Sequence, residues 1–162
     1  MARDERLLRL SREHHHGLVL ALRIQRELPG ADDRDVGSLS GDLLRYWSAA
    51  LLPHCDVEDE GFLARLAALG DDGLAFAGRM QREHRELLSI VETLRTERDA
   101  GRRRGALARF GDTLATHIRW EERELLDRVQ EWFSAADLNA AGALIAAKLP
   151  AVPLPAPTAQ SL

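Results

Sequence analysis

Residues 53–63 read PHCDVEDEGFL and residues 117–126 read HIRWEERELL. Each stretch places a glutamate four residues after a histidine: His54 with Glu58, and His117 with Glu121. On an α-helix two such positions lie one turn apart and roughly 40° apart around the axis, so both side chains can reach one point. The surrounding apolar residues have the helical period. Leu43, Trp47, Leu51, Phe62 and Leu66 recur on one face, and Phe110, Leu114, Leu125, Val129 and Trp132 do the same around the second pair.

Working outward, the same periodicity predicts a first helix from about Arg3 to Leu28, stopped by Pro29-Gly30. A second runs from about Leu39 to Leu69, capped by Ser38 or Ser40 and kinked at Pro53, which lacks a backbone donor. Gly70-Asp71-Asp72-Gly73 turns the chain into a third helix ending near Ala100. Gly101-Arg-Arg-Arg-Gly105 reads as the next break, a solvated loop, before a fourth helix to Phe133. Ser134-Ala-Ala-Asp137 resembles a capping box opening a short fifth helix to Lys148. PAVPLPAPTAQSL, residues 150–162, reads as an extended, disordered tail without chemistry. The expectation is an all-α, up-down-up-down four-helix bundle over residues 1–149, with a short extra C-terminal helix and a Pro-rich tail over 150–162.

Composition agrees. A chain of 162 residues with 45% hydrophobic and only 5% aromatic side chains suits one helical core. The balance of 22 basic against 26 acidic residues argues against nucleic acid or anionic membrane as the main partner. One cysteine excludes an internal disulfide, and charges occupy the N-terminal stretch where a signal peptide would be apolar, so a cytoplasmic location is expected.

Two other histidines belong with the pairs. His84 shares a face with Ala77, Met80, Leu87, Leu88 and Val91, and His14 shares one with Leu7, Leu10, Leu18 and Leu22. Arg12-Glu13-His14 is echoed by Arg82-Glu83-His84, as His54-x3-Glu58 is by His117-x3-Glu121, which suggests two helical hairpins about a pseudo-twofold axis. Buried carboxylates need a compensating charge, and metal ions supply it. Four imidazoles, two carboxylates and no thiolate favour iron or manganese over a structural zinc site, and six ligands suit two ions. The competing reading is a structural or interaction bundle with a histidine hydrogen-bond network or incidental zinc, in which Glu58 and Glu121 would lack partners. Cys55, about 100° around the helix from His54, reads as a small packed residue. Trp47 and Trp120 read as packing and pocket wall, and Gly17 and Gly61 as points of close approach or tolerated glycines.

The stretches SREHHHGLVLA (11–21), PHCDVEDEGFL (53–63), REHRELL (82–88) and HIRWEERELL (117–126), in this order, resemble the hemerythrin-like (HHE cation-binding) family of non-haem di-iron bundles. The resemblance spans about residues 3–133. It implies terminal imidazole ligands at His54, His84 and His117 and bridging carboxylates at Glu58 and Glu121. His14 or His15 would give the fourth imidazole, and Glu122 is a rival to Glu121. It implies two non-haem iron ions joined by an oxide or hydroxide, with manganese or zinc as alternatives. The implied partners are dioxygen, nitric oxide or peroxide, held in an apolar pocket of Leu18, Leu22, Leu87 and Leu114, and a separate redox partner. Sensing, scavenging, storage, or iron donation for iron–sulfur cluster repair would follow. Oxygen carriers of the family have a second histidine one turn after the third helix's ligand. Leu88 stands there, which implies an open or solvent-filled metal position.

Overall fold

The computed structural model describes residues 2–158. The chain forms α1 (Leu8–Glu27), α2 (Asp33–Tyr46), α3 (Leu52–Ala67), α4 (Asp71–Thr96), α5 (Ala100–Trp120), α6 (Leu126–Trp132) and α7 (Ala135–Lys148). Two π-helical turns, Trp47–Leu51 and Glu121–Leu125, join α2 to α3 and α5 to α6 without a break. The result is four helical rods in the expected up-down-up-down bundle, with α7 laid against α3.

The start of α2 lies six residues earlier than the serines suggest. Asp32 and Asp35 make a reciprocal capping box, in which each carboxylate accepts the other residue's backbone N–H. Ser40 is inside the helix, its hydroxyl donating to the Val36 carbonyl at 2.7 Å. At Pro53 the chain accommodates the missing donor by widening. Leu52 N–H donates five residues back to Trp47, so the turn just before the proline is π-helical.

The arginine run is also helical rather than a loop. Asp99 caps α5 by accepting from Arg102 N–H, and the break falls at residues 97–99. Arg104 reaches across to the carbonyls of Leu28 and Ala31, each at 2.6 Å, just past the end of α1. Ser134 caps α7 as read.

The apolar interior has two parts. One contains Leu20, Ile24, Leu43, Trp47, Leu87 and Phe110; the other contains Leu10, Phe62, Leu66, Met80, Leu125 and Val129. Between them lies a buried polar layer with His14, His54, Glu58, His84, His117 and Glu121. Gly17 permits the approach of α1 to α5, since a Cβ there would sit 2.9 Å from the Ile118 Cδ1. Gly61 has ordinary space, with Leu144 at 3.6 Å. Residues 150–158 are non-helical as expected, yet they do not leave the bundle: Ala156 is buried in the first apolar cluster. Residues 159–162 of that stretch lie outside the described residues. No helix among the described residues is long and apolar enough to cross a membrane.

Candidate metal centre

One inward residue or pair comes from each rod: His14 from α1, His54 and Glu58 from α3, His84 from α4, and His117 with Glu121 from the end of α5 and the second π turn. Their donor atoms form two overlapping groups, His14, His54, Glu58, Glu121 and Glu58, His84, His117, Glu121, each with atoms within 4.8 Å of one another. Both glutamates belong to both groups. Each group could hold a metal ion, with the two carboxylates common to both and two imidazoles particular to each.

The alternatives at adjacent positions separate clearly. His15 is exposed, its ring against that of His16, so it is His14 that enters the cluster. Glu121 is fully buried at the centre, whereas Glu122 sits outside it and accepts from His14 Nδ1 at 2.6 Å.

That last contact is one of four. His54 Nδ1 donates to Glu13 at 3.0 Å, His84 Nδ1 to Asp59 at 2.8 Å, and His117 Nδ1 to Glu83 at 2.8 Å. Each acid stands next in sequence to a central residue of a different rod. The support therefore runs in a closed ring: α1 holds the histidine of α3, α3 that of α4, α4 that of α5, and the second π turn that of α1. Fixing every Nδ1–H on a carboxylate orients each ring and leaves Nε2 facing inward. The sequence does not single out the four acids as supports, although Glu13-His14 and Glu83-His84 repeat visibly, as do the tandem acids Glu58-Asp59 and Glu121-Glu122.

The inner atoms have no such satisfaction. Imidazole Nε2 atoms approach the Glu58 and Glu121 oxygens at 3.1–3.5 Å. None of these contacts has hydrogen-bond geometry, so all four carboxylate oxygens and His84 Nε2 are buried without a partner. His14 Nε2 and His54 Nε2 face each other at 2.9 Å. Orphaned buried carboxylates are costly, and a pair of cations among them removes that cost. The donor set fits metal ions.

Without metal, protons do part of this work. Burial pulls His54 down, but the charge of Glu58 close by and the hydrogen bond to Glu13 raise it to about 9. His14 and His84 are held well above the usual range against the same burial, His14 by Glu121, Glu122 and Glu58, and His84 by Cys55, Asp59 and Glu58. Glu58 lies well below the carboxylate range: burial opposes this, and the His54 charge with three imidazole contacts prevails. Glu122 is held at about 2 by His14, Ser11 and Arg3 despite its burial.

A pH dependence follows. The stabilisation tied to His54 is fully present below its unfolded value of 6.5 and is lost as pH rises through about 9. The unfolding midpoint of metal-free protein should therefore fall over that interval, while metal affinity rises, because binding displaces these protons. Thermal melts and metal titrations at pH 6, 7.5 and 9 check both signs; two curves moving in the same direction would contradict it.

Asp59→Asn isolates one support. Asp59 is partly exposed, so folding should be little affected, while loss of the carboxylate behind His84 should weaken metal binding by about 10–100-fold. Competition against a chelator measures it, and an unchanged affinity would show that the ring does not act on the centre.

Beside the layer lies a cavity of about 20 Å³, room for one water-sized molecule. Its polar end is His14, His54, His117 and Glu121, and its apolar wall includes Trp47, Leu51, Leu87 and Leu114. Leu87 and Leu114 line it as expected. Leu18 and Leu22 do not: Leu18 packs on the core edge and Leu22 is 37% exposed. Trp47 is part of the wall, while Trp120 packs away from the cavity, between Phe76 and Arg79. Cys55 is buried, as a packed residue would be, but it also borders the cavity and lies against His84. Leu88 is 41% exposed, so its position turns away from the centre.

Comparison with curated proteins and with solved structures found no significant match. The family model of the hemerythrin HHE cation-binding domain matches residues 6–129. A match over most of the chain, on a bundle that places four histidines and two glutamates around one buried centre, means that the chain belongs to the hemerythrin HHE cation-binding domain family.

Proposed function

We propose that this is a non-haem di-iron protein that binds or reacts with dioxygen, nitric oxide or peroxide, in sensing, scavenging or storage. The observation that carries it is the sharing of Glu58 and Glu121 by two groups of nitrogen and oxygen donors. His14 and His54 would hold one ion and His84 and His117 the other, with both glutamates between them. Two imidazoles and two carboxylate oxygens per ion, without thiolate, suit iron or manganese and leave coordination positions open. When bound, the ions supply electrons and Lewis acidity.

The chain contributes the rest. The ring of Glu13, Asp59, Glu83 and Glu122 holds the Nδ1 protons and keeps each Nε2 aimed inward. Leu51, Leu87 and Leu114 keep bulk water from the cavity, whose size favours a diatomic molecule over a larger substrate. Leu88 faces outward, and the neighbouring inward residue of α4 is Leu87, so α4 offers no second imidazole. A separate partner would deliver the electrons, and the single cysteine suits the reducing cytoplasm.

Metal analysis of untagged protein, with absorption spectra recorded anaerobically and after admitting air, tests the reading. About two irons per chain and new near-ultraviolet bands on oxidation are expected. Protein that takes up no iron, and is no less stable as His54→Ala than as wild type, would overturn it.

A further inference from the structure

After α7 the chain does not drift away from the bundle. It leaves the second apolar cluster at Leu149, crosses the level of the polar layer, and enters the first cluster at Ala156. Two of the hydrogen bonds that hold it there come from side chains of the bundle. The Tyr46 hydroxyl donates to the Leu154 carbonyl at 3.2 Å, and Arg23 Nη1 donates to the Pro157 carbonyl at 3.1 Å. Arg23 is itself buried and fixed by Asp42 at 2.7 Å and Glu27 at 3.0 Å. Pro150, Pro153, Pro155 and Pro157 stiffen the segment, lower the entropy lost on docking, and remove four backbone donors that would otherwise need partners.

Leu154 occupies a particular place in this crossing. It lines the cavity beside His14, His54 and Glu121, yet it is 42% exposed. Most of the other lining side chains are buried in the bundle, among them Trp47, Leu87 and Leu114. A residue with one side on the cavity and the other in water is the partition between them. It is also carried on a non-helical segment, whereas the remaining wall is built of packed helices.

We propose that residues 150–158 form a strap whose Leu154 closes the cavity and restricts entry to molecules of about diatomic size. The identity of what enters rests on the di-iron reading; the closure itself rests on the geometry of the chain. Opening requires release of contacts that include those of Tyr46 and Arg23 and withdrawal of Ala156, while the four rods stay packed. The strap thus acts as a selectivity element for the centre.

Cys55 makes closure measurable without metal, because it borders the same cavity and is the one cysteine of the sequence. Its modification rate in full-length, metal-free protein would be followed with methyl methanethiosulfonate, a small reagent, and with a bulky aromatic disulfide. Leu154→Ala should accelerate the small reagent by at least about tenfold and narrow the difference between the two. Tyr46→Phe should accelerate it up to about tenfold, the factor that one hydrogen bond's usual net worth gives in an equilibrium. Exposed Leu74, remote from the strap, serves as a control through Leu74→Ala, with no acceleration expected. Rates in Leu154→Ala equal to wild type would overturn the proposal. So would an acceleration that merely tracks the loss of global stability in denaturant melts. Failure to load iron would instead overturn the functional reading and leave the thiol result standing.

Discussion

A chain carrying Glu58→Ala is expected to lose the two-metal stoichiometry, not one ion of the pair. Glu58 belongs to both donor groups, and its oxygens face different histidines: Oε1 lies 3.4 Å from His14 and 3.2 Å from His54, and Oε2 lies 3.5 Å from His84. Removing an outer support of a metal site costs about 10–100-fold in affinity, so removing a shared inner carboxylate should cost at least about 100-fold. The loss should also appear in the metal-free protein. Glu58 is fully buried and balances imidazoles held protonated around it, so the alanine leaves buried positive charge uncompensated, at a cost of about 3–5 kcal/mol. That cost is greatest at pH 6 and shrinks toward pH 9, where His54 gives up its proton. Calorimetric titration with ferrous iron and denaturant melts at the two pH values measure both effects. Glu60→Ala, which removes an exposed carboxylate paired with Lys148, is the control expected to change neither. Retention of two tightly bound ions by Glu58→Ala would refute the bridging assignment.

Gly73→Ala should be among the most damaging single-methyl additions in the molecule. The link from α3 to α4 is short: Gly70 takes a positive φ of 83°, Leu69 N–H donates to the Leu66 carbonyl at 2.9 Å, and α4 begins at once with Asp71. This brings the first turn of α4 hard against the last turn of α3. A Cβ on Gly73 would fall 2.0 Å from the Leu66 carbonyl oxygen and 2.9 Å from the Leu69 Cβ. The clash is with backbone, which cannot rotate away, so the helices must separate at the corner, with an expected loss of about 3 kcal/mol or more. Gly105→Ala gives the opposite sign. Gly105 lies within α5 with nothing within 4 Å of where a Cβ would stand, and alanine there should stabilise by up to about 1 kcal/mol. Urea unfolding of the two variants reads the contrast, and similar midpoints would show that the corner is not as tight as its geometry.

Much of the bundle and its centre is legible in the sequence because both depend on periodicity within single helices. Leu43, Trp47, Phe62 and Leu66 mark one buried face, and the four-residue spacing of His54-Glu58 and His117-Glu121 sets each pair on one side of a turn. Boundaries are less legible. Ser38 and Ser40 have the chemistry of caps, but so do Asp32 and Asp35, and it is this reciprocal pair that holds the start of α2. The arginines of residues 102–104 read as a loop because glycines flank them; Asp99 caps the helix just before, and Arg104 is occupied by the end of α1.

By itself, then, the sequence determined an all-helical bundle, four inward histidines from four rods, and two buried carboxylates that need cations, since each of these is set within one helix by its own 3.6-residue repeat. Only the tertiary structure placed His14 rather than His15, and Glu121 rather than Glu122, in the buried cluster, closed the ring of Glu13, Asp59, Glu83 and Glu122 around the imidazoles, and laid Leu154 over the cavity. Those features depend on how far each helix is rotated and slid against its neighbours. A periodic pattern specifies a face only to within about one residue's angular step of 100°, while a hydrogen bond is won or lost within a few tenths of an ångström.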